Sequence, residues 1–158
     1  MKDLTRKEAE RLCDDFLENK YTGEKAAEIL VSLSKKRETA EEIAGFSDSL
    51  LKHSNPFPSR QEAFDLCGTG GGAADRFNTS TTAAFVLASL GYKIAKHGNR
   101  GSRKPNGSFD LLESLGININ ADGRVLSECL EKTNLAFLFA QKFHPAMRTV
   151  AEARRMAD

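Results

Sequence analysis

Asp65-Leu66-Cys67-Gly68-Thr69-Gly70-Gly71-Gly72-Ala73-Ala74-Asp75-Arg76-Phe77-Asn78-Thr79-Ser80-Thr81-Thr82 decides how this chain reads. The run Ala63-Phe64-Asp65-Leu66-Cys67 predicts a short strand, and the stretch from about Ser80 to Leu90 predicts a helix. A glycine-rich loop that leaves a strand and enters a helix is the context in which such a loop holds an anion. Its glycines let backbone N–H groups come close to the ligand. The helix N-terminus adds unpaired N–H donors and a partial positive charge. Asn78, Ser80 and Thr81 place short polar side chains at the same end. Such hydroxyls can donate to phosphate oxygens or contact a hydrated Mg²⁺. Read alone, each glycine pair is a flexible strand–helix turn, but the glycine cluster followed by hydroxyls points to a phosphate.

The loop is not a P-loop, because no lysine follows the glycines. Nor does it fit the dinucleotide fingerprint, which wants an acidic residue about 20 positions on. Lys93, Lys96 and His97 stand in that neighbourhood instead.

Toward the C-terminus the pattern alternates. Tyr92-Lys93-Ile94-Ala95 predicts a second strand. A basic loop follows: Lys96-His97-Gly98-Asn99-Arg100-Gly101-Ser102-Arg103-Lys104-Pro105-Asn106-Gly107-Ser108. A helix carrying Phe109, Leu111, Leu112 and Leu115 comes next, then a helix over Leu126–Lys132. A strand over Leu135–Phe139 and a helix over Pro145–Met156 complete the series. Strand–helix alternation implies a parallel α/β sheet, and open sheets of that kind bind ligands at the carboxyl ends of their strands. The basic loop starts at such an end, so two helix N-termini and several cations are expected to converge on one anion. A solvated surface loop is the plainer reading of its charge.

Toward the N-terminus the character changes. Thr5 with Glu8 and Thr39 with Glu42 form capping boxes, and Thr22 is a third N-cap. They open helices bearing Ala9, Leu12, Cys13, Phe16 and Leu17; Ala26, Ala27, Ile29, Leu30 and Leu33; and Ile43, Phe46, Leu50 and Leu51. His53-Ser54-Asn55-Pro56-Phe57-Pro58-Ser59 then breaks the helical pattern, because its prolines favour extended backbone. The expected organisation is a three-helix unit over 1–56 followed by a partial parallel α/β domain over 57–158. The apolar face around Leu12, Phe16, Leu30 and Leu33 suits either a core or an interface.

Composition narrows the class. A net charge of +1 gives no global field for nucleic acid or an anionic membrane, so any anion site must be local. Cys13, Cys67 and Cys129 match no zinc pattern or disulfide framework and read as reduced, buried thiols of a cytoplasmic protein. The charged N-terminus is not a signal peptide, and no window is apolar for about 18 residues.

Gly68-Thr69-Gly70-Gly71, Asn78-Thr79-Ser80-Thr81, Lys96-His97-Gly98-Asn99-Arg100, Gly107-Ser108 with Asp110-Leu111-Leu112, and His144-Pro145-Ala146-Met147 before Arg154 resemble the anthranilate phosphoribosyltransferases in order and spacing. The front helices suit that family's helical domain, and the fold implied is the nucleoside phosphorylase/phosphoribosyltransferase type. The resemblance implies transfer of phosphoribosyl from phosphoribosyl diphosphate (PRPP) to anthranilate in tryptophan biosynthesis, with Mg²⁺ and release of pyrophosphate. It places Gly68, Gly71, Gly72, Asn78, Ser80, Thr81, Lys96, Asn99, Arg100, Gly101, Ser102, Arg103, Lys104 and Ser108 at PRPP. Ser80 is also placed on the metal. Gly68, His97, Asn99 and Arg154 are placed at anthranilate, with Arg154 pairing its carboxylate. No covalent nucleophile is required, because the work is positioning and stabilising charge on the leaving group. It also implies a homodimer through the helical domain.

This sequence departs from the family at Gly72, where an acidic residue is usual, at Arg103 and Lys104, where small hydroxyl residues are usual, and at Arg76. The family chain also continues well beyond Asp158 and carries an acidic pair for a second Mg²⁺. A truncated form of low activity, lacking a C-terminal fragment, is therefore expected. The alternatives are a non-catalytic PRPP-binding relative and a pyrimidine nucleoside phosphorylase-like enzyme.

Overall fold

A computed structural model describes residues 1–68, 77–101 and 104–157. In chain order its elements are α1 (Arg6–Leu17), α2 (Gly23–Lys36), α3 (Ala40–Lys52), α4 (Thr79–Ser89), β1 (Ile94–Gly98), α5 (Ser108–Ser114), α6 (Gly123–Thr133), β2 (Leu135–Phe139), α7 (Ala140–Phe143) and α8 (Ala151–Ala157). A 3₁₀ turn, Pro145–Arg148, lies between α7 and α8. No described helix is long and apolar enough to cross a membrane.

The chain forms two compact units: Met1–Asn55 joined by the residues from His144 onward, and Pro56–Phe143. The sequence reading placed everything after residue 56 in the α/β part. The compact units divide the chain differently at its C-terminal end because of packing. Val150 and Ala153 are buried in one apolar cluster with Phe16, Ala26 and Ala27, and Thr149 Oγ1 donates to the Phe16 carbonyl at 3.2 Å.

The helical unit is built on its caps. Thr5 and Thr39 each accept from the N3 amide while Glu8 and Glu42 reach back, and Thr22 accepts from Lys25 N–H. Each such cap satisfies donors that a helix start leaves open. Ser49, fully buried on α3, donates to Asp14 at 2.7 Å on α1. Gly45 is where the two helices touch: a Cβ there would strike the Arg6 carbonyl and come within 2.8 Å of Ala9 Cβ. Of the apolar α3 positions read from sequence, Ile43 and Leu51 are 62% and 65% exposed.

The second unit holds a parallel sheet. β1 pairs with β2 from Ile94↔Leu135 to Gly98↔Phe139. Phe64 adds a parallel bridge to Ile94 on the other edge. The expected strand over 63–67 thus shrinks to one bridging position, and β1 lies at Ile94–Gly98, later in the chain than the expected 92–95. β2 coincides with its predicted span. Ala84 and Ala88 of α4, Ile94, Phe109, Leu112 and Phe139 form one core on a sheet face, while Leu126, Leu130, Ala136 and Phe143 form another. The helix expected over 145–156 divides into the 3₁₀ turn and α8. Cys13 is buried, but Cys67 is exposed and Cys129 half-buried, against the expectation for all three.

Candidate functional site

The site lies at the carboxyl ends of the strands, where Phe64's segment runs into Asp65–Gly68 and β1 runs into the loop after Gly98. Asp65 ties the two together. Its Oδ1 accepts from Cys67 N–H at 3.0 Å and from His97 N–H at 3.1 Å. His97 Nδ1 stands 3.9 Å from Cys67 Sγ.

Lys96 is only 2% exposed. Its Nζ donates to the His97 carbonyl at 3.2 Å and has no ion pair among the described residues. Burial lowers its pKa, while the nearby Cys67 and Asp65 raise it. A buried ammonium without a paired anion is costly.

α4 packs on the sheet through Ala84 and Ala88. Asn78 is its N-cap but makes no side-chain capping bond, unlike the caps of α1, α2, α3 and α6. Thr79 N–H donates to the Phe77 carbonyl at 2.7 Å and Thr81 N–H to the Asn78 carbonyl at 3.0 Å, and no side chain caps this helix start. Ser80 is half-buried in that turn, and Thr81 is fully buried, its Oγ1 without a hydrogen-bond partner among the described residues.

The basic loop is held by its own helix. Asp110 Oδ2 accepts from Gly101 N–H and from Gly107 N–H, each at 2.8 Å, so one oxygen fastens both ends of the loop. Gly107 must be glycine for this approach: a Cβ would strike the Gly101 amide and stand 2.7 Å from the Asn99 carbonyl. That carbonyl accepts from Phe109 N–H at 3.2 Å and Ser108 Oγ at 3.3 Å. Arg100 turns to Glu113 at 2.6 Å and lies over Phe139, 5.7 Å from its ring centroid. Phe139 in turn stacks on Phe109 at 4.9 Å.

The second unit contains Gly68, Asn78, Ser80, Thr81, Lys96, His97, Asn99, Arg100, Gly101, Lys104 and Ser108; within it Asp65 joins the Cys67 and His97 segments, and Asp110 joins Gly101 to Gly107. Arg154 sits exposed on α8, in the helical unit. Gly71, Gly72, Ser102 and Arg103 lie outside the described residues. Sequence reasoning missed Asp110 as the loop's clamp and Asp65 as the tie between strand ends. Asp110 sat at the N3 position after Gly107, which was the available signal.

Two family models cover this architecture. The helical bundle domain of a glycosyl transferase family matches residues 1–54, and the a/b domain of that glycosyl transferase family matches residues 60–157. The chain belongs to this glycosyl transferase family. Its sequence is 41% identical over 152 residues to an anthranilate phosphoribosyltransferase of Lacticaseibacillus paracasei, covering 96% of this chain and 45% of the relative. It is 43% identical over 153 residues to that of Shouchella clausii, again covering 96% and 45%. The chain thus spans about half the length of the curated relatives it matches. Among solved structures, the anthranilate phosphoribosyltransferase of Thermus thermophilus superposes with a TM-score of 0.92 at 36% identity, covering 99% of this chain and 48% of that one. The Saccharomyces cerevisiae enzyme in complex with PRPP and Mg superposes at 0.67 with 32% identity, covering 80% and 36%.

Proposed function

We propose that this chain supplies the PRPP-binding part of an anthranilate phosphoribosyltransferase, which displaces pyrophosphate from the ribose C1 with the anthranilate amine. The observation that carries the reading is Lys96. It is a buried cation with no paired anion among the described residues, on the strand that ends between the first glycine loop and the basic loop. A phosphate group would provide the missing countercharge. The N-terminus of α4, with the Ser80 amide, would face the same diphosphate. Asn78, Ser80 and Thr81 add side-chain donors there. The loop 99–104, with Ser108, would close over the phosphates, its ends set by Asp110. His97, Asn99 and Gly68 would face the aromatic acceptor, and the family resemblance assigns Arg154 to its carboxylate. Gly71, Gly72, Ser102 and Arg103 belong to the same proposed PRPP set.

A hard cation suits this donor set. Mg²⁺ takes one or two protein oxygens and completes its shell with phosphates and water, so the Ser80 hydroxyl fits it. When bound, Mg²⁺ would neutralise charge on the departing pyrophosphate. Ser80 would hold it, and Lys96 would share that charge.

A homodimer is part of the proposal. Leu30, Leu33, Ile43, Phe46, Leu50 and Leu51 line an apolar groove on the helical unit. Ile43 and Leu51 are left largely exposed on it, and such a face suits a second copy.

Calorimetry tests the reading. PRPP with Mg²⁺ is titrated first, then anthranilate, and product formation is followed in the same mixture. Binding of both ligands supports the proposal. PRPP binding alone would favour a non-catalytic binder. Orthophosphate with a pyrimidine nucleoside in their place would favour phosphorolysis.

A further inference from the structure

Asp65, Cys67 and His97 bring a carboxylate oxygen, a thiol sulfur and a ring nitrogen to within 4.8 Å of one another. We propose that these three side chains form a binding site for a divalent transition-metal ion of the zinc class, distinct from any Mg²⁺ held by Ser80.

The geometry is close to what such an ion needs. Zinc takes sulfur at about 2.3 Å and nitrogen at about 2.0 Å in a tetrahedron, which separates the two donors by about 3.6 Å. Cys67 Sγ and His97 Nδ1 are 3.9 Å apart, so a few tenths of an ångström of side-chain rotation closes the site. The backbone beneath is already fixed. Asp65 Oδ1 holds the amides of both other ligands, and its second oxygen makes no hydrogen bond among the described residues. Cys67 and Asp65 are exposed, so an ion enters from solvent, and water takes the fourth position.

The donor set selects the ion. Sulfur and imidazole nitrogen suit zinc, cobalt or copper and do not suit Mg²⁺ or Ca²⁺, which want oxygen. On binding, the Cys67 S–H bond breaks, its proton passes to solvent, and the thiolate donates a lone pair to the metal. A thiol is mostly protonated at neutral pH, so forming the metal-bound thiolate releases a proton. The Lys96 ammonium opposes the incoming charge, and the new thiolate offsets it. Occupancy would take His97 from the acceptor. That inhibitory consequence rests on the proposed function; the metal binding does not.

Cobalt(II) is the probe. Titrated into the metal-free chain, it is expected to give a thiolate-to-cobalt charge-transfer band that saturates at one ion per chain and is displaced by zinc but not by Mg²⁺. The band should vanish in Cys67→Ser and in His97→Ala, and persist in Cys13→Ser and Cys129→Ser, with circular dichroism confirming each fold. Calorimetry of the unaltered chain in buffers of different ionisation enthalpy should show about one proton released per ion. Absence of the band, its survival in Cys67→Ser, or binding without proton release would overturn the proposal. Failure of PRPP to bind would leave it standing.

Discussion

The Asp110 carboxylate, in the first turn of α5, accepts the backbone N–H of Gly101 at 2.8 Å through the same oxygen that accepts from Gly107. The loop between them is closed at its neck by one side chain. Its shape at the ends therefore does not depend on a ligand.

Asp110→Ala removes that acceptor and leaves two half-buried amides without it. A charge-assisted hydrogen bond of this kind is worth about 1.5–3 kcal/mol. The variant should unfold at lower denaturant, and the Gly101 and Gly107 amides should exchange far faster than those of β1. Unchanged exchange at both glycines would show that the neck is held by something else. PRPP affinity should fall as well, since the loop would have to be ordered on binding.

Glu42 is expected to contribute to the acid stability of the helical unit. It accepts from Leu4 N–H, Thr39 N–H and Lys36 Nζ, and these hold its carboxyl down at about 2, against an ordinary 4.5. A folded-state pKa below the unfolded one means the stabilisation is complete above about pH 4.5 and is lost as pH falls toward 2. Helical content followed against pH should drop across that window. Glu42→Gln should be less stable at pH 7 and show a flatter acid profile. An acid profile as steep as that of the unaltered chain would assign the loss to other carboxylates.

The same residue shows how far the sequence was legible. Glu42 was read as half of a capping box, which it is, because caps are local chemistry over four residues. Its bond to Leu4, across 38 residues, was not readable, because nothing in a capping box specifies a distant partner. β2 was legible because Leu135–Phe139 is an unbroken apolar run with clear helical patterns on either side. Phe64 was overread: its ring is 63% exposed, so the run 63–67 has too little to bury to extend beyond one bridge. The assignment of α8 to the helical unit depends on Ala153 meeting Phe16 and Ala26, a tertiary match that periodicity cannot contain. The proposed site loops were read from residue types, and Asp65 and Asp110 stood in those stretches, but the backbone amides that each holds lie across turns that residue type does not specify.

Gly45 lies inside α3, a position where glycine disfavours a helix. Glycine inside a helix costs about 1 kcal/mol relative to alanine, so Gly45→Ala would stabilise an isolated α3. In the folded unit the new methyl would meet the Arg6 carbonyl, Ala9 Cβ and, at 2.9 Å, the Glu10 amide. Backbone atoms cannot yield as a flexible side chain can. The expected outcome is a net loss of about 1–3 kcal/mol by overpacking, read from a thermal melt. A rise in melting temperature would mean that α1 and α3 can separate without penalty.

The apolar groove predicts assembly. Replacing Ile43 and Leu51 together by lysine should shift sedimentation from dimer to monomer while leaving helical content unchanged, since both side chains are largely exposed within the unit. Apolar burial at such a face is worth about 25 cal/mol per Å², and a buried lysine pair removes that gain and adds repulsion. A monomer before substitution, or a dimer that survives it, would place the contact elsewhere.

Lys96 separates stability from function most directly. Burial lowers its pKa because the folded site offers the ammonium only the His97 carbonyl among the described residues. Lys96→Met keeps the length and apolar stem and removes the buried charge. The variant should be as stable as the unaltered chain or more so, because functional groups of this kind are commonly retained at a cost to stability. PRPP affinity should fall about 10- to 100-fold, the loss expected for one charge-assisted contact. If the variant instead unfolds readily while PRPP binding is unchanged, Lys96 is a structural residue and the anion lies elsewhere.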